Sequence, residues 1–203
     1  MDLKKEMNNT CSFYGLVLSG GKSTRMGNDK GLIEYHGVPQ REFLYHLLDK
    51  VCDKTFLSVR NEQKDEFAAD FNLIVDENKY RGPLNGILSA HKEYPKVAWL
   101  VIACDLPLLD KKTVEELVLK RDATKIATAY ATKESMLPEP LAAIWEPLGL
   151  KNVITYMDSA KSSCPRKFLI NSDVKLIFPK QDDVLYNANS IAEFEYAKNK
   201  IIS

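Results

Sequence analysis

The sequence predicts an α/β fold in which a mostly parallel central sheet carries helices on both faces. Two observations lead to this prediction: short apolar runs alternate with segments of helical periodicity, and the strongest runs are apolar throughout, as in strands buried on both faces. The size agrees, because 203 residues with 45% apolar and 28% charged side chains can bury one large core. We expect a polar tail over residues 1–12 and a single domain over residues 13–203.

The first half of the chain contains most of the predicted strands and helices. Strands are predicted at residues 13–18, 55–59, 73–75 and 97–103, with a short strand and turn at 33–37. Helices are predicted at residues 39–52, 62–69, 82–94 and 111–121. Pro39 and Pro83 suit the first turn of a helix, where the missing N–H of proline has no partner to lose.

The second half continues the alternation. Strands are predicted at residues 126–130, 141–145 and 174–178, and a final helix at 191–200. Strands that alternate with helices in this way usually form parallel pairs joined by right-handed crossovers.

Charge and composition exclude several classes of partner. The 28 basic and 28 acidic side chains cancel, so we expect the chain to bind neither nucleic acid nor an anionic membrane. The longest apolar run, residues 97–104, is far shorter than the about 20 residues of a membrane span. Cysteines without a CxxC pair, and an N-terminus without the apolar core of a signal peptide, predict a cytoplasmic location.

A glycine-rich segment, LSGGKSTRMGNDKG, follows the first predicted strand at residues 18–31. In open α/β sheets, ligands bind at the carboxyl ends of the strands, and glycine lets backbone N–H groups approach phosphate oxygens. We expect a nucleotide to lie along the backbone of four residues, Leu18, Ser19, Gly20 and Gly21. Two cations of the segment are candidates to neutralise its phosphates, Arg25 and Lys30.

The glycine spacing excludes two common nucleotide-binding fingerprints. A Walker A loop would require glycine at position 16, where the chain has Leu16. The dinucleotide fingerprint would require glycine at position 22, which Lys22 occupies. Alone, the segment is therefore also compatible with a glycine turn that carries solvated lysines.

Three further motifs follow along the chain, and they make the functional interpretation of this glycine-rich segment more specific. The pattern LxxGGxSxRMGxDKG is followed by a GPLNG turn after Asp76, by CDLP at residues 104–107 and by NAN at residues 187–189. Together they resemble the molybdenum cofactor guanylyltransferase family, whose members are nucleotidyltransferases with a three-layer, Rossmann-like fold. Sugar-nucleotide pyrophosphorylases have a similar loop but usually place proline before the lysine, whereas this chain has Asp29 before Lys30.

The resemblance implies transfer of GMP from GTP to molybdopterin that carries molybdenum, with release of pyrophosphate and with Mg²⁺ or Mn²⁺ as cofactor. Proteins that deliver or accept the molybdenum cofactor would be further partners. Other outcomes stay open, because the same fold could use CTP or act on a sugar phosphate. A non-catalytic nucleotide-binding adaptor is an alternative from a different class.

Chemistry and resemblance together assign roles to individual residues. Asp105 is predicted to bind the metal, because a carboxylate directly after an apolar strand is costly to bury unless a cation offsets it. With Arg25 and Lys30 it forms the predicted catalytic set. Nucleotide contacts are expected at the glycine-rich segment and at Lys30, Asp76, Gly82, Leu84 and Asp105, and acceptor contacts at Glu139, Asn187 and Asn189.

Structural alternatives exist for several of these residues. Asp105 could cap a helix, Asp76 could cap a turn, and the two asparagines could cap the final helix. Three positions also depart from the family pattern: Ser19 replaces the commoner alanine, Arg60 lies near a usual asparagine, and Glu139 stands where histidine is frequent.

Overall fold

The computed structural model describes residues 13–20, 30–67, 69–160 and 162–202. Within them, one sheet of seven strands has the order β3-β2-β1-β4-β6-β5-β7. The strands are β1 Phe13–Leu18, β2 Lys54–Val59, β3 Leu73–Val75, β4 Ala98–Ala103, β5 Ala127–Ala131, β6 Pro138–Trp145 and β7 Val174–Ile177. Every neighbouring pair is parallel except the two that involve β6. The predicted α/β fold with a mostly parallel sheet is confirmed.

Helices cover both faces of this sheet. They are α1 Gln40–Asp49, α2 Leu84–Glu93, α3 Lys111–Leu119, α4 Pro147–Ala160, α5 Pro165–Ile170 and α6 Ile191–Ile202, with 3₁₀ turns at Lys30–Leu32, Asn61–Glu66 and Asp182–Leu185. Side chains of α1 and α3 join one hydrophobic core, and those of α2, α4 and α5 join a second. Neighbouring residues of one strand enter opposite cores, as Leu16 and Val17 of β1 do.

Three sequence predictions need correction. Residues 33–37 form a bend with a single β-bridge between Glu34 and Pro39, because no neighbouring strand is present to pair with them. The helix predicted at 62–69 is the 3₁₀ turn Asn61–Glu66. Helices α4 and α5 were not predicted, and both bury apolar side chains in the second core.

The register of the strands places several chain segments at one edge of the sheet. Leu18, at the end of β1, is aligned with Ser58 of β2 and with Ala103 at the end of β4. Because β6 runs antiparallel to β4, with Ala142 opposite Ile102, its first residues lie at the same edge. The described residues that follow β1, β2 and β4 therefore lie at the same edge of the sheet as the start of β6.

Candidate active site

The first half of the candidate site lies where β1, β2 and β3 end. Both the amide and the hydroxyl of Ser19 donate hydrogen bonds to the Ser58 carbonyl, at 3.1 and 2.8 Å. The Arg60 guanidinium donates to the carbonyl of Gly20 at 2.8 Å. The described start of the glycine-rich segment is thus held by two residues of the neighbouring strand and its loop.

Asp76 faces this backbone directly. Its Oδ1 accepts a hydrogen bond of 2.7 Å from the Ser58 hydroxyl, and its Oδ2 would lie 2.8 Å from a Cβ at Gly20. Glycine is required at that position because any side chain would collide with the carboxylate. Burial raises the pKa of Asp76, while hydrogen bonds from Ser58 and Asn85 and the charge of Arg60 act in the opposite direction.

The GPLNG turn packs behind this carboxylate. Gly82 has a φ of 68°, a left-handed conformation that favours glycine. Leu84 begins α2, and its side chain is fully buried in the second core. A Cβ at Gly86 would lie 2.2 Å from the Ser58 hydroxyl oxygen and 3.0 Å from Leu18 Cδ2, so close packing of α2 on the strand ends requires glycine here as well.

The second half of the candidate site lies where β4 ends. Lys30 Nζ lies 4.0 Å from Asp105 Oδ2 and donates a hydrogen bond to Asn189 Oδ1. The amide of Ala188 donates to the Asp105 carbonyl at 2.9 Å. Three predicted site residues from distant parts of the sequence, Lys30, Asp105 and Asn189, are therefore neighbours in the structure.

The electrostatic surroundings of Asp105 favour a bound cation. Its side chain is 22% exposed, and among the described residues its buried Oδ1 has no hydrogen-bond partner. Burial raises the pKa of Asp105, the Lys30 charge lowers it, and the Glu139 charge raises it further. A hard divalent cation fits this environment, since it would contact the unsatisfied oxygen and offset both carboxylate charges.

The described residues contain no cluster of three or more His, Cys, Asp or Glu side chains that could by itself hold a metal ion. Mg²⁺ commonly takes one or two protein carboxylates and completes its octahedron with phosphate oxygens and water. Asp105 therefore fits a metal that is bound jointly with a nucleotide, rather than one caged by protein side chains.

Glu139 lies near the start of β6, on the acceptor side of the predicted site. It forms an ion pair with Arg166 of α5, whose Nε also donates to the Pro138 carbonyl at 3.2 Å. Sequence reasoning missed Arg166, because no local spacing connects residues 27 positions apart. The guanidinium is half exposed, so it can also contact a ligand.

The two predicted asparagines behave differently. The Asn187 side chain donates to the Leu185 carbonyl at 3.2 Å, which is a local turn contact, whereas the Asn189 side chain accepts from Lys30. At the start of α6, Glu193 accepts hydrogen bonds from the Asn189 amide at 2.8 Å and from the Ser190 hydroxyl at 2.9 Å. Glu193 and Ser190 thus stabilise the start of α6.

The predictions for Gly21 and Arg25 fall on residues 21–29, outside the described part of the chain. In the ranges that are described, we find no helix with the length and apolar character needed to cross a membrane.

Comparison with known proteins matches this architecture. A family model described as MobA-like NTP transferase domain matches residues 15–172. The molybdenum cofactor biosynthesis bifunctional protein of Synechocystis sp. is 39% identical over 89% of the chain, although the match spans only 52% of that longer relative. The molybdenum cofactor guanylyltransferase of Pseudomonas fluorescens is 31% identical over 86% of the chain and 88% of the relative.

Solved structures share the fold. Molybdopterin-guanine dinucleotide biosynthesis protein A from Archaeoglobus fulgidus superposes with a TM-score of 0.74 at 20% identity, over 92% of this chain and 97% of that one. A nucleotidyl transferase from Methanothermobacter thermautotroptrophicus superposes with a TM-score of 0.76 at 13% identity, over 94% and 98% of the two chains.

Proposed function

Because the chain belongs to the MobA-like NTP transferase domain family, a nucleotidyltransferase family, we propose that it transfers GMP from GTP to molybdopterin that carries molybdenum. The products are pyrophosphate and a guanine dinucleotide cofactor. The observation that carries this proposal is the approach of the Lys30 ammonium to the buried Asp105 carboxylate, at the edge of the sheet where Asp76 also lies. The Pseudomonas fluorescens relative, which has a similar length, is named for this activity.

Asp76 would select the guanine base or hold the ribose. A carboxylate is an acceptor of hydrogen bonds, and guanine offers two adjacent donors, N1–H and the N2 amino group, on one edge. Cytosine offers an acceptor beside its single amino donor on the corresponding edge. The partial burial of Asp76 beside Gly20 supports this role, because base donors would add to the hydrogen bonds from Ser58 and Asn85 in satisfying the two carboxylate oxygens.

Lys30 and Asp105 would act on the triphosphate. An oxygen of the acceptor's own phosphate attacks the α-phosphorus of GTP, the bond from that phosphorus to the β-phosphate oxygen breaks, and pyrophosphate leaves. Lys30 would stabilise the negative charge on the phosphates, together with Arg25 and the backbone amides of Gly20 and Gly21. The Ser19 amide already donates to the Ser58 carbonyl, so Ser19 would instead hold the start of this segment in place. Asp105 would hold Mg²⁺ or Mn²⁺, which neutralises phosphate charge when bound. A phosphate nucleophile is already ionised, so no general base is required.

The acceptor would lie beside the start of β6. Glu139 and Asn189 both neighbour the Lys30–Asp105 pair, and the half-exposed guanidinium of Arg166 offers a cation to an anionic acceptor. Asn187 lies two residues before Asn189 and would complete this side. Their position next to the phosphate-binding residues supports an in-line approach of the acceptor.

The experiment that tests this proposal is pyrophosphate release by the purified protein with each of the four nucleoside triphosphates, with and without molybdopterin carrying molybdenum. We expect turnover with GTP only when acceptor and Mg²⁺ are both present, and loss of turnover when EDTA is added. Turnover with CTP, or with a sugar phosphate as acceptor, would contradict the proposed specificity. Tight GTP binding without any pyrophosphate release would instead indicate a nucleotide-binding adaptor.

We place this reaction in the cytoplasm, where the cysteine pattern without CxxC pairs is typical and where GTP is supplied. A protein that delivers or receives the molybdenum cofactor would then be a partner. Affinity purification of the tagged chain from its own cells should recover such a protein, and its absence would count against direct handover.

A further inference from the structure

The turn formed by residues 105–107 is held at three consecutive carbonyl oxygens by two other segments of the chain, residues 36–40 and the loop at Ala188. The donors are the amide of Ala188 to the Asp105 carbonyl at 2.9 Å, Gln40 Nε2 to the Leu106 carbonyl at 3.4 Å, and His36 Nε2 to the Pro107 carbonyl at 3.0 Å. The His36 bond requires a proton on Nε2, which the neutral Nε2–H tautomer and the protonated ring both provide. The Gln40 contact is long for a hydrogen bond, so the two shorter bonds carry more of the constraint.

This turn lies outside regular secondary structure, and it is closed locally by the Leu109 amide, which donates to the Leu106 carbonyl at 3.3 Å. It follows β4 directly, and Leu106 and Pro107 are buried, so their carbonyls need hydrogen-bond partners inside the protein. The carboxylate of Asp105 projects from the same turn. Its position therefore depends on the groups that hold the backbone on either side.

His36 is itself held firmly. Its ring stacks on Phe43 of α1 with a centroid separation of 3.8 Å and an interplanar angle of 13°. The neighbouring Tyr35 is buried and packs against Phe194 of α6 at 5.2 Å between ring centroids. The stack on Phe43 holds the His36 ring and the packing of Tyr35 holds the backbone beside it, so the ring can transmit a fixed position to the carbonyl that it contacts.

The same bend also fixes the segment that carries Lys30. The amide of Gln40 donates to the Ile33 carbonyl at 2.9 Å and closes the bend, and the amide of Ile33 donates to the Lys30 carbonyl at 3.3 Å. The bend that carries His36 is therefore connected to both residues assigned to the phosphates: to Lys30 along the chain, and to Asp105 through the turn at Pro107.

We propose that His36 is a positioning residue for the transfer reaction. Its hydrogen bond to the Pro107 carbonyl fixes the Asp105 carboxylate relative to the Lys30 ammonium, and it does so without touching the substrate. This inference rests on the proposed function for its kinetic consequence, but the constraint itself is a property of the protein without ligands.

Four substitutions separate the hydrogen bond from the packing of the ring. His36→Phe keeps the stacking on Phe43 and removes the donor, whereas His36→Gln replaces the donor at a similar reach. His46→Phe is the matched control, because His46 lies on the exposed side of α1, against Tyr45 and Phe71 and away from the turn. His36→Leu is a second donor-free variant in case the phenylalanine variant does not fold.

We expect His36→Phe to lower kcat by about 3- to 10-fold, the range that one lost neutral hydrogen bond allows. The Mg²⁺ concentration for half-maximal rate should rise by a similar factor, while KM for GTP stays within about twofold, because the base-side contacts are unchanged. His36→Gln should recover most of the loss, and His46→Phe should match the unmodified protein. In the protein without ligands, hydrogen exchange should quicken at the Ala188 amide in His36→Phe and not in His46→Phe.

The exchange measurement distinguishes failure of this inference from failure of the proposed function. If the unmodified protein releases no pyrophosphate with GTP, the proposed function is wrong, and exchange at Ala188 still decides whether His36 constrains the turn. If the unmodified protein is active and His36→Phe equals it in kcat, Mg²⁺ dependence and exchange, His36 is not a positioning residue. The inference is overturned equally if His36→Gln is as impaired as His36→Phe.

Discussion

Replacing Gly86 by alanine should separate the stability of the protein from its affinity for the nucleotide. The new Cβ would lie 2.2 Å from the Ser58 hydroxyl oxygen and 3.1 Å from Ser58 Cβ, which is far inside van der Waals contact. Because Ser58 is buried and donates to Asp76 at 2.7 Å, its hydroxyl must rotate away and the hydrogen bond must break. One substitution therefore creates a clash and removes a donor from the base-side carboxylate.

The two effects have different sizes. Overpacking a core costs about 1–3 kcal/mol, and the better helix propensity of alanine returns up to about 1 kcal/mol. The Ser58–Asp76 hydrogen bond is present in the ligand-free protein, and its loss adds about 1.5–3 kcal/mol. We therefore expect a net loss of at least roughly 1.5 kcal/mol in the free energy of unfolding, measured by urea denaturation. Because the proposed base contact depends on the orientation of the Asp76 carboxylate, KM for GTP should also rise, by roughly 10-fold, which corresponds to about 1.4 kcal/mol.

The double variant Gly86→Ala with Ser58→Ala tests this reasoning. Removing the hydroxyl removes the closest clash, so the part of the lost stability that is due to overpacking should return, whereas the affinity for GTP should not, because Asp76 still lacks the Ser58 donor. Two results would refute the argument: an unchanged urea midpoint in Gly86→Ala, or a double variant that recovers stability and GTP affinity together.

Three further predictions follow from the same structure. Asp105→Asn should abolish pyrophosphate release while stabilising the ligand-free protein at neutral pH. The pKa of Asp105 is raised in the folded state, so ionisation of this carboxyl destabilises the fold as pH rises through that pKa. Thermal melts of the two proteins should therefore converge below the usual aspartate pKa of about 4. Glu146→Ala should lower the free energy of unfolding by about 3–5 kcal/mol, because Glu146 and Arg121 form an ion pair at 2.7 Å in which both side chains are only 5% exposed; an unchanged urea midpoint would contradict this. Arg166→Ala should raise KM for the acceptor by roughly 10-fold with KM for GTP unchanged, because it removes a charge-assisted contact and leaves Glu139 unpaired. A higher KM for GTP with KM for the acceptor unchanged would show that Arg166 acts on the nucleotide and not on the acceptor.

Much of the fold could be predicted because the information was local. The apolar runs of β1 and β4 are buried throughout or nearly so, and the polar residues that follow them had to lie at one edge of a parallel sheet. Lys30 and Asp105, which were predicted as partners in one site, lie 4.0 Å apart. Their proximity follows from topology, since β1 and β4 are neighbours in the sheet.

The features that were missed depend on contacts between distant parts of the chain. In the first turn of α4, Gly149 packs so closely on Ile126, the residue before β5, that a Cβ at Gly149 would lie 2.3 Å from the Ile126 carbonyl oxygen. This packing, rather than the periodicity of the helix itself, sets the position of α4. Arg166 enters the site only because α5 packs beside the start of β6. The direction of β6 is also not visible in its apolar pattern, because most of its residues are buried like those of its parallel neighbours.

The reversed direction of β6 has a consequence for how such a protein can diversify. Because β5 and β6 are joined at the site edge by a short hairpin over residues 132–137, the acceptor side is built without a crossover helix. Met136 at the hairpin tip is 56% exposed and adopts a φ of 54°, so the tip is surface chain that the core does not constrain. Insertions and deletions there would change which acceptor fits while the β1–β4 half, and with it the nucleotide, stays as it is. Transplanting hairpins of different length between relatives is therefore a direct route to enzymes with new acceptors.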